Sequence, residues 1–422
     1  MLDESMLDAP DALARADHRG LLRGAAEAGA RVRTALRNAD EAGVARLAPE
    51  GRPRSVLVAG SGAAASAVAD LIGALAGAVA PVTRLRPAGV APAAGALRWT
   101  LPGWTGAVDL LLVVTTDGSE PGLGLLADQA YRRGCSVVAV APSGSPLTET
   151  VDGARGLLVP LAVAPAHEYG AQDEFGAQDE FGAQHEYGEG ERAGRSAGES
   201  GDASGSTPLA GRWPRDEPVA AGPGALWALF TPLLVLLDRI GLIDAPPETM
   251  NVLADRLDRV AERCGPAIAT YSNPAKTLAA ELADSLPLIW TEGEAAAPVG
   301  RRFATALAEL TGRPALAADL PEALPSHGAL LRGAFAGGAD PDDFFRDRVE
   351  EPEALRARVV LLRDRPADGL SAAPAAREAA EDHDTPLSEL EPEEGGALEA
   401  LAELLAITDF TVAYMALTAK DT

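Results

Sequence analysis

The chain has 422 residues, 47% of them hydrophobic, and carries 36 Lys and Arg against 62 Asp and Glu, a formal charge of −26. That is enough chain for two or three domains with a sizeable core. The acidic balance excludes tight nucleic-acid binding, which needs clustered cations, and disfavours an anionic membrane surface.

The N-terminus, MLDESMLDAPDALARADHRG, is acidic where a secretory signal would be basic and then apolar. Residues 1–50 read as a helical segment. From residue 51 to 165 the pattern alternates. The β-rich runs SVLVA, DLLLVVTT, SVVAVAP and GLLVPLA are separated by stretches of helical composition such as EPGLGLLADQAYRRG, which predicts a parallel sheet with crossover helices.

Residues 166–222 lose that texture. GAQDEF repeats in tandem, then a Gly/Ser/Glu-rich tract follows, with twelve acidic residues against four arginines and few aliphatics. Such a composition predicts a disordered acidic linker. His167 and His185, with acids beside them, are a candidate metal site; the plainer account is repeat slippage in a tolerant loop.

Residues 223–422 read as a second α/β unit. It runs through the apolar helix ALWALFTPLLVLL, the amphipathic helix PPETMNVLADRLDRVAERCG, the helix-to-strand run NPAKTLAAELADSLPLIWTEG and a helix from Val299 to about Thr311. The strand ARVVLLRD and the closing helix GALEALAELLAITDFTVAYMAL complete it. The run Ala225–Leu237 is shorter than the ~20 residues of a membrane span, so the expectation is a soluble protein with no membrane partner. Cys135 and Cys264 are too few for a disulfide framework, which favours a reducing cytoplasm.

The motif that invites chemistry is VLVAGSGAAASAVAD. Gly60-x-Gly62-x-x-Ala65 satisfies the loose dinucleotide fingerprint, yet no acid follows about 20 residues on, where APVTRLRPAG stands. Arg84 and Arg86 keep a 2′-phosphorylated dinucleotide open. A phosphate cradle asks only for amides at a helix N-terminus, a hydroxyl and glycines, which Gly60, Ser61 and Gly62 supply. A strand-to-helix turn without a ligand also fits the letters.

The order of several segments resembles the sugar isomerase (SIS) domain proteins, specifically the bifunctional phosphoglucose/phosphomannose isomerases. The segments are GSGAAASAVAD, LPGWTGAVDLLLVVTTDGSEPG, NPAKTLAAEL before LPLIW, AELTGRPAL and LLAITDFTVAYMAL. The resemblance implies an α/β chain of two SIS-type, doubly wound parallel-sheet domains. It also implies a sugar phosphate as ligand, no cofactor, no metal, and a homodimer.

For site residues, it implies phosphate binding by Gly60, Ser61 and Gly62 together with Thr115, Thr116, Gly118 and Ser119. The family's catalytic glutamate falls on Glu309 and its ring-opening histidine on His327. Together they would convert glucose 6-phosphate or mannose 6-phosphate to fructose 6-phosphate through an enediol. Read from the residues alone, Glu309 is a solvated helix acid and His327 a helix-start or surface histidine.

The chain departs from the family in places. Asp117 stands near an expected phosphate-binding serine, Val159 to Ala166 lacks the expected arginine, and the lysine that the resemblance would place in a C-terminal extension finds no clear counterpart, Lys420 being the nearest. Lys276 sits at a predicted helix start and reads as structural. Three readings follow: an isomerase, a non-catalytic protein that binds or senses a sugar phosphate, and a nucleotide-cofactor enzyme.

Overall fold

The computed structural model describes residues 2–47, 51–88, 97–161, 222–333, 335, 355–364 and 370–419. The acidic repeat segment, with His167 and His185, lies outside the described residues, as does Lys420.

Strands β1 (Ser55–Ala59), β2 (Val82–Leu85), β3 (Asp109–Val114), β4 (Ser136–Ala141) and β5 (Leu157–Pro160) form one parallel sheet in the order β2-β1-β3-β4-β5. A second parallel sheet joins β6 (Ser285–Glu292), β7 (Leu316–Asp319), β8 (Arg356–Arg363) and β9 (Leu387–Leu390) in the order β7-β6-β8-β9. The two orders correspond strand for strand, apart from the extra fifth strand of the first. β1 and β3 are buried along their whole length, as parallel strands covered on both faces must be.

Four helices precede the first sheet: α1 (Glu4–Leu7), α2 (Pro10–Ala16), α3 (Leu21–Ala26) and α4 (Ala28–Glu41). The first sheet is crossed by α5 (Gly62–Ala76), α6 (Pro121–Arg132) and α7 (Pro146–Gly153). The helices α8 (Ala225–Arg239), α9 (Pro247–Arg263) and α10 (Pro274–Glu281) lead to the second sheet, which is crossed by α11 (Ala296–Thr311), α12 (Ala323–Leu331) and α13 (Ala373–Glu381) before the final α14 (Ala397–Leu417).

The core explains how these elements stack. One apolar cluster takes Val56, Val58 and Leu112 from one face of the first sheet and Ile289, Val360 and Leu362 from one face of the second. Between them it gathers the inward faces of α5, α8, α9, α11 and α14. The far face of the first sheet packs on α6 and α7 through Leu111, Val113, Leu123 and Val151. The far face of the second packs on α12 and α13 through Leu288, Trp290, Leu331 and Ala376. The described residues therefore form two sheets sharing a central helical layer, each with its own outer helices.

Among the described helices, α14 alone is long and apolar enough to cross a membrane, and 89% of its apolar window is buried inside the fold. Its charged residues are matched within the core. Asp409 accepts from Arg302 of α11 at 2.7 Å, and Glu403 accepts from Arg256 and Arg263 of α9, each at 2.6 Å. Just past the end of α14, the Thr418 carbonyl accepts from the Asp3 N–H at 2.8 Å.

Candidate functional site

In an open parallel sheet, ligands bind beyond the carboxyl ends of the strands, where the strand order reverses. In the first sheet that point lies between β1 and β3. Gly60, Ser61 and Gly62 leave β1 there, and Thr115, Thr116, Gly118 and Ser119 leave β3, so the fold brings the two predicted loops to one edge.

The glycines are required by shape. A side chain at Gly60 would collide with the Val114 carbonyl and with Ala65, and Gly62 has φ +84°, which favours glycine. Ser61 is the N-cap residue of the fifteen-residue α5, and its side chain makes no capping hydrogen bond. The first-turn amides and the positive end of the helix dipole are thus left without a side-chain acceptor at the switch point. Ser66 donates to the Gly62 carbonyl at 2.8 Å and accepts from Arg84, so Arg84 is tied to α5. Burial lowers the Arg84 pKa, with Asp70 opposing and Arg86 adding to the fall.

The β3 loop is built differently. The Gly118 N–H donates to Thr115 Oγ1 at 3.0 Å, and the Ser119 N–H donates to Asp117 Oδ1 at 2.8 Å. Glu120 accepts from the Gly122 N–H at 3.2 Å and so caps α6. The loop's own side chains occupy these amides. Gly118 has φ +66° and packs against Ser145, where no side chain would fit. Thr115 and Gly118 are buried, Thr116 is half-buried, and Asp117 and Ser119 are exposed.

Glu309 lies in the last turn of α11, on the exposed side of a helix whose Val299, Phe303 and Leu307 enter the central core. Nearby protein displaces water and raises its pKa, while Arg302 pulls it down. Arg302, seven residues before Glu309 on the same helix, is itself buried and donates to Asp409.

His327 departs from the surface or helix-start reading. It lies within α12, is 8% exposed, and its Nδ1 accepts from Trp290 Nε1 at 2.9 Å. Burial lowers its pKa, and with Nδ1 an acceptor the neutral ring carries its proton on Nε2. The helices bearing Glu309 and His327 pack on opposite faces of the second sheet.

Lys276 is fully buried near the start of α10 and donates to the Pro266 and Ile268 carbonyls at 2.8 and 2.7 Å. It ties down the preceding loop, in line with its structural reading. Sequence reasoning missed Glu292 at the end of β6. The residue is 6% exposed, and its carboxylate accepts from Arg363, Ser371 and the Ala372 and Ala373 amides. Only a strand ending in Glu-Gly hinted at it.

Residues 271–420 match the family described as the bacterial phospho-glucose isomerase C-terminal SIS domain. Among solved structures, a candidate phosphosugar isomerase from Silicibacter pomeroyi aligns at 15% identity and TM-score 0.52, covering 93% of this chain and 95% of that one. One from Clostridium difficile aligns at 10% identity and TM-score 0.54, covering 94% and 91%. A hypothetical protein from Thermus thermophilus aligns at 13% identity and TM-score 0.55, covering 98% and 89%. No curated protein matches the sequence. Residues 271–420 are thus similar to an SIS domain of the bacterial phosphoglucose isomerase type, and the fold of the chain as a whole is shared with these solved structures.

Proposed function

We propose that the protein binds a phosphorylated hexose at the switch point of its first sheet, with the phosphate on the N-terminus of α5. The observation that carries this is the pairing of Gly60-Ser61-Gly62 with a long helix whose first turn lacks a side-chain cap. Amides and dipole there favour a dianion. Ser61, Thr115, Thr116 and Ser119 are the nearby hydroxyl residues, and Gly60, Gly62 and Gly118 allow close approach.

A second reading, aldose-ketose isomerisation of glucose 6-phosphate or mannose 6-phosphate, draws on Glu309. A glutamate with a raised pKa is better matched to proton transfer between adjacent carbons than an ordinary one. His327 would assist ring opening. Both groups must reach the same sugar, yet their helices lie on opposite faces of one sheet, so this reading calls for a homodimer in which the partner supplies one of them. Unpaired, buried Cys135 and Cys264 suit a reducing cytoplasm.

Isothermal titration with glucose 6-phosphate tests binding, and Ser61→Asp, whose carboxylate would cap the first-turn amides of α5 and repel a dianion, should abolish it. Wild-type protein showing no heat at millimolar ligand sinks the proposal. A coupled assay for fructose 6-phosphate tests isomerisation, with Glu309→Gln as the inactive control. Binding without turnover leaves the first reading standing and removes the second.

A further inference from the structure

The first switch point is flanked by opposite charge. Residues 115–120, which leave β3, hold Asp117 and Glu120 and no base, whereas residues 82–88, which form β2 and its exit, hold Arg84 and Arg86 and no acid. β2 and β3 are the two neighbours of β1, so the start of α5 stands between a cationic side and an anionic one. A third cation joins the first of these: Ala88 and Arg98 exchange main-chain hydrogen bonds at 2.8 and 2.6 Å, which sets Arg98 opposite the exit of β2.

Within this group Arg84 is the one aimed at the helix. It pairs in register with Val58, whose side chain enters the central core on the α5 side, while the next residue, Leu85, packs on the far face. Its guanidinium donates to Ser66 Oγ one turn into α5, and Ser66 in turn donates to the Gly62 carbonyl at 2.8 Å, so the cation lies beside the first turn. Among the described residues this neutral hydroxyl is its only hydrogen-bond partner, and Nε and Nη1 are unused. Asp70 attracts it through space but bonds Arg301 of α11 instead, at 3.3 Å. Arg84 is thus a half-buried guanidinium with no carboxylate bound to it, beside a like-charged neighbour, Arg86, and burial lowers its pKa. An anionic ligand would offset that desolvation.

We propose that Arg84 is a ligand-binding residue, the counter-ion that β2 supplies to a phosphomonoester on the first turn of α5, with Ser66 as the residue that positions it. The assignment rests on the phosphosugar reading of that site. A planar guanidinium with two unused donor positions suits paired phosphate oxygens in a way that a point charge does not. It also answers the opposite side of the site: a dianion repelled by Asp117 is drawn toward β2.

Calorimetry with glucose 6-phosphate and, separately, with inorganic phosphate tests the assignment. Arg84→Met should weaken both by about tenfold or more, the usual loss for a charge-assisted hydrogen bond, with an unliganded melting temperature close to wild type because no ion pair is broken. Arg84→Lys, which keeps the charge without the fork, should fall between the two. Ser66→Ala should weaken binding by letting the guanidinium swing free, and Ser66→Thr, which retains the hydroxyl, should bind as wild type does. If Arg84→Met does not fold, Arg84→Lys and the Ser66 pair carry the same comparison.

Glucose 6-phosphate binding that Ser61→Asp abolishes and Arg84→Met leaves unchanged overturns the role of Arg84 while the phosphosugar reading stands. Arg84-dependent binding of inorganic phosphate without any response to glucose 6-phosphate does the reverse. Arg86→Met weakening the ligand as much as Arg84→Met would show a diffuse positive field in place of a contact, and overturns the assignment. Wild-type protein silent to both anions removes both.

Discussion

The indole N–H of Trp290 donates to Nδ1 of His327 at 2.9 Å, joining the center of β6 to α12 beneath the outer face of the second sheet. Trp290 is fully buried, so this bond satisfies a donor that would otherwise lie in apolar surroundings. His327→Leu should cost about 1–3 kcal/mol in urea unfolding, the usual penalty for orphaning a buried donor, and Trp290→Phe with it should restore part of that loss. Because burial lowers the folded-state pKa of His327, the unfolded chain takes up its proton first. Stability should therefore fall as pH drops below the unfolded value of 6.5 and level off below the folded pKa. A histidine resonance that titrates above 6.5 would contradict this.

Asp117 places a carboxylate beside the loop where a phosphate would sit. Asp117→Asn keeps an acceptor for the Ser119 amide while removing the charge. Two like charges at ~4 Å in water repel by about 1 kcal/mol, so glucose 6-phosphate should bind roughly fivefold tighter to the variant by calorimetry. Unchanged or weaker affinity would mean that the ligand phosphate does not approach this loop.

Glu309 carries the isomerase reading. If it is the base, the acid limb of the rate profile should fall above the ordinary glutamate value of 4.5, since its folded pKa is raised and only the ionised form accepts a proton. Glu309→Gln should lower kcat by at least about a hundredfold with little change in phosphosugar affinity. Equal loss of affinity and rate would place Glu309 in binding, not in proton transfer.

Arg302 and Asp409 form a buried pair between α11 and α14. Burial raises the Asp409 pKa, and Arg302 draws it back. Asp409→Ala should cost about 3–5 kcal/mol by leaving the guanidinium buried and alone. The double replacement Arg302→Met with Asp409→Leu should recover most of that in urea unfolding, because the pair's desolvation cost goes with its attraction. A double variant as unstable as the single one would show that the pair is worth more than well-packed apolar atoms.

Glu292 gives a pH signature of its own. Burial alone would raise its pKa, but Arg363, the Ala372 amide and Ser371 outweigh that and hold it below the ordinary 4.5. Its contribution is present above the unfolded value and is lost as pH falls through the folded one. Glu292→Gln should therefore flatten the loss of stability below about pH 4.5 in unfolding titrations.

Most of the fold was legible because buried parallel strands read as continuous apolar runs. SVLVA and DLLLVV are strands along almost their predicted lengths, and the closing helix begins and ends where its apolar run does. β7 and β9 carried no such signal. Leu316–Asp319 and Leu387–Leu390 are edge strands, four residues each and only partly buried, so their side chains are mixed. Of the candidate site, the two glycine and threonine loops were legible from their turn chemistry. Asp117 stood out as a charge out of place, but that it would accept from Ser119 depended on the loop's fold. Burial of His327 under Trp290 depends on a contact across 37 residues, and Glu292 meets its donors across about 80. Neither spacing leaves a local pattern.

The final helix, α14, packs against α3, α9, α10 and α11 and supplies the carboxylates for Arg256, Arg263 and Arg302. Those arginines lie upstream, so during synthesis they and the apolar faces around them wait for a segment made after all of them. The first sheet closes on strands adjacent in time, whereas the central layer reaches completion only once α14 has left the ribosome. Chains halted before it would expose an apolar seam and leave the buried Arg302 without its Asp409 carboxylate, and so become clients for holding chaperones.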